Sequence, residues 1–575
     1  MASGSSTSER SPRQQAVVGF FVLLIIILAP IVLSYYLHPA PSPVTRPVHV
    51  QILAINDFHG QLADGQNLNK EPAGSAPVLA SYLKYTIADA GEATTFIALP
   101  GDVVGASPPE SGLLLDEPTL LFFNSLADDC PDIIATFGNH EFDRGTDELL
   151  RMVRGGNGAT TITHLADPYP GAEAEYISSN VVWKTNGTLL AAPYTIRDVD
   201  GVRIAFIGAD TTKTPSIQKP ANIELVAFEN ETESINRYVP EIQQQGVHAI
   251  VVLLHEGGSQ DAYDGPTREG GNVTGRVAGI VAGLDADVDV VLSGHTHAFT
   301  NAYLENAGKN PVLVTQAYSY SRAFADVDLV IDPVTGEITH KSARIVPTYS
   351  DRPPSTSPDP EASLLLGMSE EAVGPLTNRV VATVLADITR EKTGAGESAL
   401  GNLVADGQRA AMNADIAFIT TGSLRAEIAE GSVTWGDLYA VQPFSSTVLS
   451  TTLTGDQVRD ALERQWQTPL PPHNLAVSGL IYTFDDERPA GSKITEIRVN
   501  GVPLDPNAEY TAAMVDFLAT GGDGYTAFTE GTNAVSGPSD VDALVAYMEA
   551  LPEPVDVKAE ARITKVAGIS RQQRS

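Results

Sequence analysis

Five short apolar runs in this chain break off at Asp, Asn or His beside a glycine, and that repetition constrains the fold more than any other feature. The run 48–55 leads into Asn56-Asp57-Phe58-His59-Gly60, and 95–99 into Pro100-Gly101-Asp102. The run 132–137 leads into Gly138-Asn139-His140-Glu141-Phe142-Asp143. Two more, 249–254 and 288–292, lead into His255-Glu256-Gly257-Gly258 and Ser293-Gly294-His295-Thr296-His297. Runs of this length and composition read as buried strands, and strand ends are where α/β proteins bind ligands. The glycines allow the tight turns and close backbone approach that a cluster of ligating side chains needs.

Of the 11 histidines, His59, His140, His255, His295 and His297 all fall in these strand-end loops. Asp57 and His59 stand two apart, so on extended backbone both side chains point to one side and can grip one ion. Nitrogen and oxygen donors without cysteine suit Zn, Mn or Fe rather than a structural thiolate site. Asp57, His59, Asp102, Asn139, His255, His295 and His297 are too many donors for one tetrahedral ion, which points to two divalent ions.

At 575 residues the chain exceeds what one core supports, and two domains are expected. The balance of 36 Lys+Arg against 71 Asp+Glu, a formal charge of -35, argues against a nucleic-acid polymer as partner. An anionic substrate must then be held by local cations, either metal ions or a few placed arginines. Near the start, the apolar run Ala16 to Leu37 follows Arg10 and Arg13 and precedes a Pro-rich stretch; its length and flanking charge read as a membrane signal anchor. The reading is therefore a cytoplasmic tail 1–15, an anchor 16–37 and a stalk 38–47, with the catalytic domains outside the cell membrane. The single Cys130 cannot form an internal disulfide.

A catalytic domain is expected over 48–350. The turn-rich Asp351-Arg352-Pro353-Pro354-Ser355-Thr356-Ser357-Pro358-Asp359-Pro360 opens a linker, 351–375, with a helix starting at about Glu361. A second domain, 376–551, opens on a helix in which Ala399, Leu400, Leu403 and Val404 recur at helical spacing, and 552–575 reads as a tail. Gly422-Ser423-Leu424-Arg425 follows a strand, Gln442-Pro443-Phe444 marks a turn, and Phe517 precedes the Gly-rich Gly521-Gly522-Asp523-Gly524-Tyr525. Two loop aromatics can sandwich a flat base, an Arg can pair with phosphate at two points, and an Asp can accept from ribose hydroxyls.

Asn-Asp-Phe-His-Gly, Gly-Asp, Gly-Asn-His-Glu-Phe-Asp, His-Glu-Gly-Gly and Gly-His-Thr-His, in this order, resemble the calcineurin-like metallophosphoesterases, and more closely the 5'-nucleotidase family. The resemblance implies a four-layer α/β metallophosphoesterase domain joined to a smaller α/β substrate domain. It implies that Asp57, His59, Asp102 and His297 hold one ion, and that Asp102, Asn139, His255 and His295 hold the other. Asp102 bridges them in that scheme. His140, held by Asp143, becomes the group that stabilises the transition state or leaving group. Arg425 and Asp523 become phosphate and ribose contacts, and Phe444 and Phe517 the base stack. The chain departs from the family at Thr420, where Asn is usual, and near Gly394, where an Arg is usual. The expected activity is hydrolysis of nucleotide phosphate esters, including UDP-sugars or nucleotide diphosphates. The alternatives are a 2',3'-cyclic-nucleotide phosphodiesterase with 3'-nucleotidase activity and a non-catalytic surface protein that binds nucleotides.

Overall fold

The computed structural model describes residues 46–160, 162, 164–269, 272–466 and 474–566. The N-terminal half is built on two six-stranded sheets. In the first, strands Val48–Ala54, Thr94–Pro100 and Ile133–Thr136 run parallel side by side, with Ala323–Ile331 antiparallel against Val48–Ala54. In the second, Val202–Asp210, Ala249–His255 and Val290–Ser293 run parallel side by side.

Why the strands read as unbroken apolar runs is clear from their two faces. Ile52, Phe96 and Ile134 point into the space between the sheets, where they meet Phe206, Val251 and Leu292. Their chain neighbours Leu53, Ile97 and Ile133 point the other way, onto Leu79, Leu83 and Phe122 of the covering helices. On the far side Ile207, Ile250 and Val252 pack on Ile235, Val239 and Val281. Side chains alternate across a strand and both faces are covered, so polar residues such as Gln51 are few before the strand ends. The result is four layers: helix, sheet, sheet, helix.

The C-terminal half has a five-stranded sheet ordered Leu475–Ser478, Ile416–Thr420, Glu509–Val515, Thr447–Thr454 and Thr532–Ser539, and a smaller sheet of four strands. Helix Ala399–Met412, capped by Ser398 accepting from the Gly401 amide, lays Leu400, Leu403 and Val404 into this core. Helix Pro360–Thr377 occupies most of the segment expected as a linker, and it buries Ala362 in the N-terminal core. The segment expected as a C-terminal tail also carries structure: Val555 is buried, and Ile563–Lys565 pairs in parallel with Leu480–Phe484. Val555 and Ile563 supply its apolar contacts to the C-terminal core. Among the described residues no helix is long and apolar enough to cross a membrane. The expected anchor, 16–37, lies outside the described residues.

Candidate active site

All five apolar runs deliver their polar termini to one edge of the paired sheets. Asp57, His59, Asp102, His295 and His297 sit at φ between 49° and 72°, the left-handed region that side chains seldom occupy. Asp57 and His59 therefore do converge, but not on the extended backbone that their spacing suggested: the strand has already ended at Ala54. Glycine is required close by. A Cβ on Gly101, whose φ is 84°, would lie 2.5 Å from the His255 ring, and one on Gly138 would lie 2.4 Å from an Asp102 oxygen.

Two groups of donor atoms form around Asp102. On one side Asp57, His59 and His297 bring their ligating atoms within 4.8 Å of one another, and on the other Asp102, His255 and His295 do the same. Asp102 Oδ2 is 3.7 Å from His59 Nε2 and 3.0 Å from His255 Nε2, so one carboxylate faces both. Asn139 Oδ1 lies 3.3 Å from His255 Nε2. The tautomers fit cations. His59 Nδ1 donates to the Gly105 carbonyl at 2.9 Å and His255 Nδ1 to the Pro100 carbonyl at 3.0 Å, which turns both Nε2 lone pairs inward. Two imidazole Nε2 atoms, of His59 and His297, then stand 3.1 Å apart, an arrangement that a shared cation relieves. The residues present thus fit divalent ions.

His140 stands beside these groups, with Nδ1 2.9–3.0 Å from both oxygens of Asp143 and its main-chain N–H donating to Asp102 Oδ1 at 2.8 Å. Burial disfavours its charged form, but Asp143 and Asp102 outweigh that and raise its pKa. Two polar residues to which the sequence reading gave no role complete the arrangement. Gln218 Nε2 donates to Asp143 Oδ1 at 2.5 Å and to the Asn139 carbonyl at 2.7 Å. The Glu141 carboxylate, buried, accepts from the main-chain amides of Asp102, Val103 and Gly138 and so ties two of the loops together. The rings of His59 and His297 both lie against Tyr320, also unmarked by spacing.

The C-terminal half faces this edge across a cleft of about 490 Å³, which Asp102, Asn139, His140, Asp143, His295 and His297 line together with Arg425, Phe444, Phe517 and Asp523. The Phe444 ring lies over His140, with centroids 6.1 Å apart and planes at 27°. Arg425 sits 5.8 Å from the centre of Phe444, and its Nε and Nη2 are buried without a hydrogen-bond partner. A guanidinium whose donors are left over in a cleft fits an anion. The sequence expectations of metal, catalytic and substrate residues are thus brought to one place, Asp57, His59 and His255 lying just behind the cleft wall.

Asp540, 1% exposed, also lines the cleft. Burial pushes its carboxyl up to about 7 against the pull of the Ser446 and Val541 amides and of Lys219. A raised acid pKa means that the folded state holds a proton the unfolded chain has already lost, so this contribution is intact at acid pH and fades as pH rises from about 4 to 7. Asp540→Asn is expected to remove a few kcal/mol of that pH-dependent loss. Urea unfolding of both proteins at pH 5 and pH 8 checks it; parallel shifts in the two would contradict it.

Residues 50–299 match the family of Calcineurin-like phosphoesterases, and residues 373–530 match the 5'-nucleotidase C-terminal domain. The cell wall protein Lmo0130 of Listeria monocytogenes is 32% identical over 547 residues, 87% of this chain and 67% of that protein. The chain belongs to the 5'-nucleotidase family. The endonuclease YhcR of Bacillus subtilis is 33% identical over 90% of this chain, which spans 41% of that protein's length. The crystal structure of a 5'-nucleotidase precursor from Thermus thermophilus superposes with a TM-score of 0.73 at 27% identity, covering 90% of this chain and 99% of that one. This two-domain α/β architecture is therefore that of the 5'-nucleotidase family, whose phosphoesterase part is N-terminal and whose smaller domain is C-terminal. At the first of the two departures from the family pattern, Thr420 is buried and its hydroxyl bonds Ser423 Oγ at 2.9 Å, facing its own turn.

Proposed function

We propose that this chain hydrolyses nucleotide phosphate esters at a site for two divalent ions, Zn, Mn or similar, as an enzyme of the 5'-nucleotidase type. The observation that carries the reading is the cleft itself, where donors for two cations, a guanidinium with Nε and Nη2 left over and two aromatic rings face one another. Asp57, His59, Asp102 and His297 would hold one ion, and Asp102, Asn139, His255 and His295 the other. Such ions neutralise phosphate charge and activate water for attack on phosphorus.

The chain's own side chains do the rest. Arg425 offers Nε and Nη2 to the phosphoryl oxygens, Phe444 and Phe517 stack the base, and Asp523 accepts from the ribose. Asp143 holds the proton on His140 Nδ1, and His140 lines the cleft. Hydrogen-bonded to Asp143, His140 stabilises negative charge as it builds on the leaving oxygen and passes it a proton, the nucleoside departing as its alcohol and the proton of the attacking water returning to the imidazole.

The catalytic and substrate domains, 48–350 and 376–551, would lie outside the cell membrane on the anchor 16–37. Arg10 and Arg13 before that run and the Pro-rich stalk after it support this orientation. The test is metal analysis with phosphate release from AMP, ADP, UDP-glucose and 2',3'-cyclic AMP, on purified protein and on intact cells carrying the full chain. Metal-dependent release from AMP, found also with intact cells, is expected. Turnover of the cyclic nucleotide alone, or of none, would overturn the reading.

A further inference from the structure

The imidazoles offered to the two ions are not held alike. His59 and His255, whose side chains are 0% exposed, each commit Nδ1 to a main-chain carbonyl, as described. The side chain of His297 is 24% exposed, and its polar contacts, to His59 Nε2 at 3.1 Å and to Asp57 Oδ1 at 3.4 Å, are both made by Nε2. Among the described residues nothing bonds its Nδ1, so no hydrogen bond behind the ring sets its turn. A ligating imidazole ordinarily has such a partner on its other nitrogen, which fixes tautomer and orientation together.

What meets the His297 ring instead is Tyr320. The two ring centres are 5.1 Å apart with planes at 82°, the edge-to-face arrangement that aromatic quadrupoles favour, and the tyrosine ring is 5.4 Å from that of His59. Tyr320 is in turn mounted on the site. Its main-chain N–H donates to the Asp57 carbonyl at 2.8 Å. Asn56 Nδ2 donates to the Tyr318 carbonyl at 2.6 Å, and Asn56 Oδ1 accepts from the Ala317 amide at 2.8 Å. The turn that carries the tyrosine and the turn that carries Asp57 are thereby one unit. Arg322, held by Ser319, places its guanidinium 5.6 Å from the centre of the Tyr320 ring. Among the described residues the ring contacts of Tyr320 are with His59, His297 and Arg322, while His255 and His295 pack on each other with centres 5.2 Å apart.

We propose that Tyr320 is a positioning residue for one of the two divalent ions. Its ring does for His297 what a carbonyl does for His59 and His255, and so it sets how tightly the ion among Asp57, His59 and His297 is held. This rests on the two-ion reading above and adds to it an inequality between the positions: the one that includes His297 empties first. The contact is ring to ring, so the phenol hydroxyl has no part in it. Phenylalanine therefore serves in its place, and an aliphatic side chain of similar bulk does not.

The test is a zinc titration of the metal-free full chain against a competing chelator, which reads a dissociation constant for each ion without turnover. Wild-type protein is expected to take up two ions, and His297→Ala to lose one, which identifies the position. Tyr320→Leu is expected to raise the dissociation constant of that same ion about ten- to hundredfold and to leave the other unchanged. Tyr320→Phe should keep both at the wild-type values. Adding Tyr320→Leu to His297→Ala should change nothing further, because the ring then has no ligand left to position. Should leucine lower the melting temperature too far for titration, Tyr320→Met, unbranched and adaptable, carries the same expectation. Equal weakening of both ions, or a loss that persists in the His297→Ala background, would overturn the positioning role while leaving the two-ion reading in place. If wild-type protein takes up one zinc ion or none, the two-ion reading fails and the inference falls with it.

Discussion

Replacing His140 with alanine is expected to lower kcat for phosphate release about a hundredfold or more while bound metal stays at the wild-type level. The reason is the division of the imidazole's two nitrogens. Nδ1 is committed to Asp143, whose carboxylate is itself fixed by the Ala106 amide at 2.9 Å and by Gln218. Nε2 is left for chemistry, and the transition state is the only moment at which extra negative charge appears beside it. A competing role exists, because His140 lies within ligating reach of His59 and Asp102. If it were a ligand, alanine would empty a metal position and activity would fall with metal content. Measuring the two quantities on one preparation decides between the roles; a proportional loss would reassign His140.

Asp102→Ala should do the opposite and lose metal from both positions, with turnover falling about a thousandfold or more. The Asp102 carboxylate lies between His59 Nε2 at 3.7 Å and His255 Nε2 at 3.0 Å, and its removal leaves both rings without it. His297→Ala is the control, expected to reduce metal by about one ion per chain because His297 belongs to one group only. Metal analysis by mass spectrometry reads both. If Asp102→Ala retained as much metal as His297→Ala, the bridging role would be wrong. Asp102 Oδ1 also receives the His140 amide, so an accompanying fall in melting temperature is expected and does not affect the stoichiometric comparison.

Much of this centre was legible in the sequence because the strands that build it are covered on both faces. Such strands hold few polar residues before they end, so Asp57, Asp102, Asn139, His255 and His295 stand out against their surroundings. What the chain concealed has no local signature. Gln218 acts across 75 positions in sequence, in a turn without periodicity, and Glu141 reaches Val103 from 38 positions away. Lys213 carries no pattern in the sequence, and only the fold brings it into the cleft wall. The strand Ile563–Lys565 escaped notice because three residues are too few to show alternation. Left-handed torsions at Asp57 and His59 were hidden for another reason: they arise from the turn after the strand, and residue type alone does not announce them.

Those torsions carry a consequence for how the centre fills. A donor held at positive φ is strained by roughly 1–3 kcal/mol, and only the rigidity of the double sheet beneath keeps five of them so. The cost of turning them inward is met once, when the polypeptide folds, rather than at each encounter with an ion. An arriving cation therefore finds its shell already assembled, and exchange of one metal for another can proceed without remaking the cradle.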